Sequence, residues 1–268
     1  MKFSVVTISF NQAEFLERTI LSVVRQKCDE LEYIIVDPGS TDGSRDIIER
    51  YRSYFSKIIY DKDRGAADGL NRAFVFATGD IYCYLNSDDT LQPEAFVRVA
   101  RFMQGHPEYD VICGHAWVTD RDDKRLRRVW SEPYRRIAVA YGAAVQIQPS
   151  TFIRRQAYIK SGGFNADNKS GWDGELLDEL YLSGASIGII DEFISTYRLH
   201  GGSITNSGRL LAQMKKGREV RFERLMQRPS LPYDKYVSLL FRLWKHMNSP
   251  LATWERIAHG PIFNRGVK

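Results

Sequence analysis

The sequence predicts an α/β protein, a largely parallel sheet with helices on its faces, and three stretches carry that prediction. Residues 2–60 alternate apolar, strand-like runs with segments of helical period in the order strand, helix, strand, helix, strand, the pattern of parallel strands joined by crossover helices. Ile81, Tyr82, Cys83, Tyr84 and Leu85 then form an unbroken apolar run, as expected of a strand covered on both faces. That run ends in Asn86, Ser87, Asp88 and Asp89, which crowds acceptor oxygens onto a turn at the carboxyl end of a strand, where open α/β sheets bind ligands.

In chain order, Lys2 to Ser9 is rich in Val, Ile and Phe and predicts an interior strand. Asn11 followed by Glu14 is a capping-box signature, and Phe15, Leu16, Ile20, Val23 and Val24 recur at helical spacing to Gln26. Tyr33 to Asp37 predicts a second strand, Pro38 to Ser44 the turn after it, Ile47, Ile48 and Tyr51 a helix, and Lys57 to Tyr60 a third strand. Asp61 to Phe74 leads through a helix to the central strand. Beyond it, Pro93 to Met103 reads as a helix, Tyr109 to Gly114 as a strand, and Trp117 to Trp130 as a hairpin around Asp120 to Asp123. Gln146 to Ile153 predicts another strand, and a helix from Arg155 to Ser161 stops at Gly162-Gly163. Gly171 or Asp173 opens a helix whose Leu176, Leu177, Leu180 and Tyr181 make an apolar stripe. Ile187 to Ile190 and Ile194 to Leu199 read as two late strands that end in His200-Gly201-Gly202-Ser203. Arg209 to Met226 and Tyr233 to Met247 are helical segments split by Pro229 and Pro232. The second is an amphipathic basic helix, suited either to a membrane surface or to packing on the body or a second subunit.

Composition narrows the class. With 43% hydrophobic and 26% charged residues among 268, the chain is neither disordered nor fibrous. Its three cysteines are widely spaced with no C-x-x-C pair, which argues against a disulfide framework or a zinc site and fits a reducing compartment. The apolar start is too short for a signal sequence, and no run of about 18 apolar residues predicts a membrane span. From Thr205 to Lys268 there are 13 Lys and Arg against 4 Asp and Glu, so the net +5 divides into −4 on the body and +9 on the tail. The tail, not the body, is therefore expected to meet something anionic.

The chemistry is read from the turns. No G-x-G-x-x-G follows the first strand and no G-x-x-x-x-G-K-[ST] occurs, which argues against dinucleotide redox and P-loop chemistry. Asp37, at a strand end, either accepts the imino N–H of uracil, thymine or guanine or simply holds its own turn. Arg64 and Arg72 could pair with a diphosphate, and Asp63, Asp68 and Asn71 could bond sugar hydroxyls; otherwise they form a solvated loop and helix face. The close carboxylates of Asp88 and Asp89 suit a divalent cation held with a phosphorylated ligand, or else one of them caps the helix announced by Pro93. Asp173 at a helix start serves either as an N-cap or as a general base. His200 can coordinate a cation only if the fold brings Asp88 near it.

Together these pieces resemble the inverting glycosyltransferases of family 2 with the GT-A fold. The matching motifs are Val5 to Asn11, Ile35 to Ser44, Ala77 to Asp80, Leu85 to Asp89, Trp172 to Leu176 and Tyr197 to His200, in that order over roughly residues 2 to 203. The resemblance implies a nucleotide-diphospho-sugar donor, a divalent Mn or Mg ion and a single inverting displacement. In that mapping Asp37 meets the base while Thr7, Ser9 and Phe10 line the nucleotide pocket, and Ser87 joins Asp63, Arg64, Asp68 and Asn71 among the donor contacts. Asn86 and Asp88 stand at the ends of the D-x-D metal motif, with His200 as a further ligand. Asp173 is the base, and Gln148 and Trp172 face the acceptor. Four departures from the pattern stand out: Asn86 replaces the usual first Asp, Trp172 an acidic residue, and Pro38 and Phe10 a common Asp and Tyr; Q-x-x-R-W is also lacking.

The implied domains are residues 1–204, a catalytic unit with a nucleotide-sugar part (1–114) and an acceptor part (115–204), and residues 205–268, a basic helical extension. The implied partners are a UDP-sugar, or a GDP- or dTDP-sugar, and a saccharide acceptor, lipid-linked, of a surface polysaccharide such as lipopolysaccharide. No nucleic acid is expected. Peripheral contact at the inner face of the plasma membrane and a homodimer are both compatible with the extension. The rival readings are a polyprenyl-phosphate sugar synthase and a silent nucleotide-sugar-binding module.

Overall fold

The apolar runs of the first sixty residues form the expected crossovers. The computed structural model describes residues 1–28, 30–201 and 211–260. Strand β1 (Phe3–Ile8), helix α1 (Ala13–Val24), β2 (Leu31–Val36), α2 (Ser44–Arg50) and β3 (Lys57–Ile59) lead to α3 (Ala66–Phe74) and the central β4 (Ile81–Asn86). There follow β5 (Thr90–Leu91), α4 (Ala95–Gly105), the hairpin β6 (Val111–Thr119) and β7 (Arg125–Val129), and α5 (Arg136–Ala140). After β8 (Thr151–Arg154) come α6 (Arg155–Ser161), α7 (Trp172–Leu182), β9 (Ile187–Arg198), α8 (Leu211–Met226), α9 (Asp234–Asn248) and α10 (Pro250–His259).

One mixed sheet runs in the order β3-β2-β1-β4-β8-β6-β9-β5, with β7 added on β6. Strands β3, β2, β1 and β4 are mutually parallel, and β8 joins antiparallel to both β4 and β6. Because β1 is flanked by β2 and β4, the chain reverses its direction of build there, and Ile8 pairs with Val36 on one side and Asn86 on the other. The carboxyl ends of three strands thus lie level, which is the crevice that open α/β sheets use for ligands.

Side chains alternate across this sheet, so neighbours such as Val5 and Val6 enter different cores. Val5, Leu16, Ile20, Leu85 and Phe96 belong to the layer under α1 and α4. Val6, Leu70, Tyr82, Tyr84 and Leu176 belong to the layer under α3 and α7, and Leu225 of α8 is buried with them. Helix α8 therefore contributes to a core that the first strands begin. The expected boundary at 204/205, and the starts of the tail at Thr205 and of a helix at Arg209, lie outside the described residues.

Three local expectations are corrected, and one alternative is removed. Asn11 does not cap α1: it has φ +52°, and its Oδ1 accepts the Thr41 N–H. The N–H groups at the helix start are met from the neighbouring turn instead, Gln12 N donating to Ser44 Oγ and Ala13 N to Asp42 Oδ2. The strand expected from Gln146 begins only at Thr151, because Gln148–Ser150 is a 3-10 turn containing Pro149, which has no N–H to give a ladder. The two late strands are one twelve-residue β9 whose register against β6 shifts near His115. Asp88 and Asp89 do not open a helix, since Thr90 and Leu91 pair with β9 and α4 starts after Glu94. Helix α10, with Pro250 at its first turn, was not anticipated. Among the described residues no helix is long and apolar enough to cross a membrane.

Candidate active site

At the end of β2, Asp37 is fully buried, and its Oδ1 accepts N–H bonds from Gly39 (3.1 Å), Ser40 (2.8 Å) and the Arg45 side chain (3.1 Å). Both sequence roles are thus compatible, because the turn uses one oxygen only. Oδ2 has no partner among the described residues, and neither does the buried Ser9 Oγ at the end of β1. Arg45 also lies over the Tyr60 ring, 4.6 Å from its centroid, and Phe10 stands 60% exposed at the rim. Thr7 is not a pocket wall: it is fully buried on the α1 face of the sheet and shares a hydrogen bond of 2.9 Å with Tyr33.

The carboxylate turn after β4 is held from two directions. Thr19 of α1 donates to both the Ser87 and Asp89 carbonyls at 2.8 Å, so buried Ser87 offers its backbone to the fold. Arg198, at the end of β9 and only 1% exposed, donates Nε to the Asp88 carbonyl (2.8 Å) and its backbone N–H to Asp89 Oδ1 (3.0 Å). Its Nη2 pairs with Asp123 of the β6–β7 turn at 2.6 Å. Burial and the neighbouring Asp88 charge push the Asp89 carboxyl well above the usual range, so Asp89 is a structural post rather than an open carboxylate. Two residues past Arg198, His200 Nε2 lies 2.9 Å from Asp88 Oδ2, and its ring packs against Phe15. The condition set by the sequence for His200, proximity to Asp88, is met. Arg198 lies within the Tyr197 to His200 motif with no role assigned to it; its signal in the sequence is a cation in phase with the inward-facing Ile194 and Thr196 of the same strand.

Around the turn, Asn86 Nδ2 donates to Gln148 Oε1 (3.1 Å) and Gln148 Nε2 donates to the Tyr84 carbonyl (2.8 Å). Gln148 is therefore beside Asn86, with its amide engaged by the strand end.

The loop before α3 is more occupied than its sequence suggests. Asp68 accepts the Arg64 backbone N–H (3.0 Å) and pairs with Arg64 and Arg72, contacts that hold its carboxyl below the usual range. Asn71 is a staple rather than a ligand: it donates to the Phe164 carbonyl (2.7 Å) and accepts from the Phe164 N–H (2.9 Å) and Tyr158 (3.1 Å). Among the described residues Asp63 Oδ2 has no such bond, and burial raises the pKa of its carboxyl. A Cβ on Gly69 would come within 2.7 Å of that oxygen, so the glycine makes room for Asp63. Lys169 reaches the Arg64 carbonyl, which brings the loop before α7 against this one.

Helix α7 starts after Gly171, whose φ of +74° suits glycine. Trp172 is core, not acceptor wall, because its ring packs on Tyr84 and Phe164 at 5.6 Å. Asp173 follows in the first turn, half-buried, with no hydrogen bond or ion pair among the described residues. A carboxylate held at a helix start with no hydrogen bond among the described residues can take a proton from a ligand.

The sequence pattern of glycosyl transferase family 2 matches residues 4–162, more than half of the chain. The chain belongs to glycosyl transferase family 2. Within it, the chain is 28% identical over 215 residues to an uncharacterised glycosyltransferase of Nostoc sp., covering 76% of this chain and 66% of that one. It is 37% identical over 103 residues to the putative teichuronic acid biosynthesis glycosyltransferase TuaG of Bacillus subtilis, covering 37% of this chain and 41% of TuaG. The chain thus spans less than two thirds of either relative. In fold it is similar to S. aureus TarS 1-349 in complex with UDP, with a TM-score of 0.67, 18% identity, and coverage of 92% of this chain and 72% of TarS 1-349.

A family 2 glycosyltransferase raises the question of a cation. Among the described residues no group of three His, Cys, Asp or Glu side chains converges, and the pair that does meet is Asp88 and His200. Two donors do not make a closed cage. They fit a divalent cation that takes further oxygens from phosphates and water.

Proposed function

We propose that the chain is an inverting glycosyltransferase that moves one sugar from a nucleotide-diphospho-sugar, a UDP-sugar, to a saccharide acceptor. The observation that carries this is the Asp88–His200 pair together with Asp37 Oδ2, which lacks a partner among the described residues, at the ends of parallel strands. Asp37 would accept the uracil imino N–H, Ser9 would bond the nucleotide, and Asp63 a donor sugar hydroxyl. Asp88, His200 and Asn86 would hold a Mn or Mg ion, which when bound neutralises charge on the departing diphosphate. Asp173 takes the proton of the acceptor hydroxyl as its oxygen bonds to the anomeric carbon; the bond to the diphosphate breaks and its electron pair leaves with the nucleoside diphosphate, which inverts the centre. The acceptor is read as a lipid-linked saccharide of a bacterial surface polysaccharide, handled at the inner face of the plasma membrane.

Thermal shifts with UDP, GDP, dTDP and CDP, with and without Mn, test donor class, because a ligand of the native state raises its melting temperature. UDP stabilising only with Mn is expected. Asp173→Asn should lower transfer by about a hundredfold or more while leaving that shift intact. Full transfer by a folded Asp173→Asn protein overturns the assignment of the base. Donor binding with neither transfer nor hydrolysis in the wild type would favour the silent module, which the Asn86 substitution also suits. Transfer to a lipid phosphate with no sugar acceptor would identify a polyprenyl-phosphate sugar synthase.

A further inference from the structure

We infer that α9 and α10 form a docking face for an anionic lipid bilayer, with their apolar stripe inserted and a ring of arginines and lysines on the lipid phosphates. On α9, Tyr236, Leu240, Leu243 and Met247 follow one another at helical spacing and point outward, Leu240 being 64% and Met247 80% exposed. On α10, Leu251, Trp254 and Ile257 are also exposed, Ile257 to 79%. An apolar stripe of this extent on a water-facing helix marks an interaction surface.

Charge decides what covers it. Residues 234–260 contain two acidic side chains, Asp234 and Glu255, and both are buried in ion pairs, with Arg228 and Arg128 respectively. The exposed charged residues on it are all cations, Lys235, Arg242 and Arg256. Beside it, Arg135 and the Arg136 and Ile137 of α5 that follow it face Phe241 and Trp244 across a groove of about 410 Å³, with the Arg135 guanidinium over the Trp244 ring. Cations set around an apolar cleft match the phosphates and acyl chains of an anionic membrane, whereas a protein partner would be expected to meet at least some exposed acid here. The face also has a firm mount. Asp234 is bonded to Tyr141, the Phe241 ring stacks on Tyr141 at 5.3 Å, and Glu255 ties α10 to β7. This deepens the inner-face reading above by naming the surface that would make the contact.

The full chain is mixed with vesicles of pure phosphatidylcholine and with vesicles containing about one third phosphatidylglycerol, and binding is read by sedimentation and by the emission of Trp244 and Trp254. Binding to the anionic vesicles with a blue shift is expected, as is a loss of about tenfold or more in Leu240→Glu/Leu243→Glu/Met247→Glu. These side chains are exposed, so the variant should keep the nucleotide thermal shift of the wild type, which separates failure here from failure of the donor assignment. Arg135→Gln and Arg136→Gln should each weaken anionic binding about fivefold, and raised salt should act likewise. Absent binding by the wild type, or equal binding by the triple variant, overturns the inference. A dimer that the same variant converts to monomer, without vesicle binding, would overturn it in favour of an interface between copies of the chain.

Discussion

Arg221 of α8 grips Asp178 of α7 with two nitrogens, Nε to Oδ2 at 2.6 Å and Nη2 to Oδ1 at 2.7 Å. Asp178 is buried, and Tyr134 donates to the same Oδ1 at 2.6 Å. Helix α8 is thereby fastened to the helix that carries Asp173. Arg221→Ala strands a buried carboxylate and should cost about 3 kcal/mol in urea denaturation, the usual scale for breaking such a pair. A loss under about 0.5 kcal/mol would mean that α8 does not fold as one unit with α7.

Asn71 distinguishes a staple from a ligand. Its three hydrogen bonds to Phe164 and Tyr158 consume the amide, so Asn71→Ala should lose about 2 kcal/mol of stability while the donor KM changes less than about twofold. A tenfold rise in KM in a protein of unchanged stability would return Asn71 to the sugar site.

Asp42 caps α1 from a distance. Asp42→Ala removes acceptors from Ala13 N and Ser44 N and should cost about 1 to 2 kcal/mol. Glu14→Ala should cost about 0.5 kcal/mol, since Glu14 forms a surface ion pair with Arg121 rather than a capping box. Equal losses in the two variants would reverse that assignment.

The mount of α9 should be sensitive to acid. Arg228, the Leu231 N–H and Tyr141 together hold the Asp234 carboxyl far below the usual carboxylate range. A depressed folded pKa stabilises above the unfolded value, about 3.9, and that contribution is lost as pH falls through and below it. The melting-temperature gap between wild type and Asp234→Asn should therefore be full at about pH 6 and shrink toward about pH 2.5. A gap that is constant across that window would show that the carboxylate charge contributes nothing.

The parallel half of the sheet was legible because its strands are apolar runs bounded by turn residues, and a buried strand leaves that pattern whatever it pairs with. The carboxylate turn was legible for the same reason: β4 announces its own end. What local sequence could not carry were partners. Nothing near Asn71 announces Phe164, and nothing near Trp172 announces Tyr84, so a staple and a core ring were both read as ligand contacts. Thr7 failed differently, since one residue of alternation separates the pocket end of a strand from its core face. Arg198 shows the limit from the other side: its motif was visible, but the two carboxylate-bearing turns it joins are separated from each other and from it in the chain.

Asp88 and His200 meet across 112 positions of chain. A polypeptide emerging from the ribosome displays the carboxylate long before the imidazole exists, and contacts of such sequence separation form late and at a high cost in loop closure. Nucleotide affinity that needs both side chains should thus appear in one step when β9 enters the sheet, and a nascent chain stalled before Arg198 should show none of it. On the proposed reading, the growing chain would engage donor only once β9 has joined Asp88 to His200.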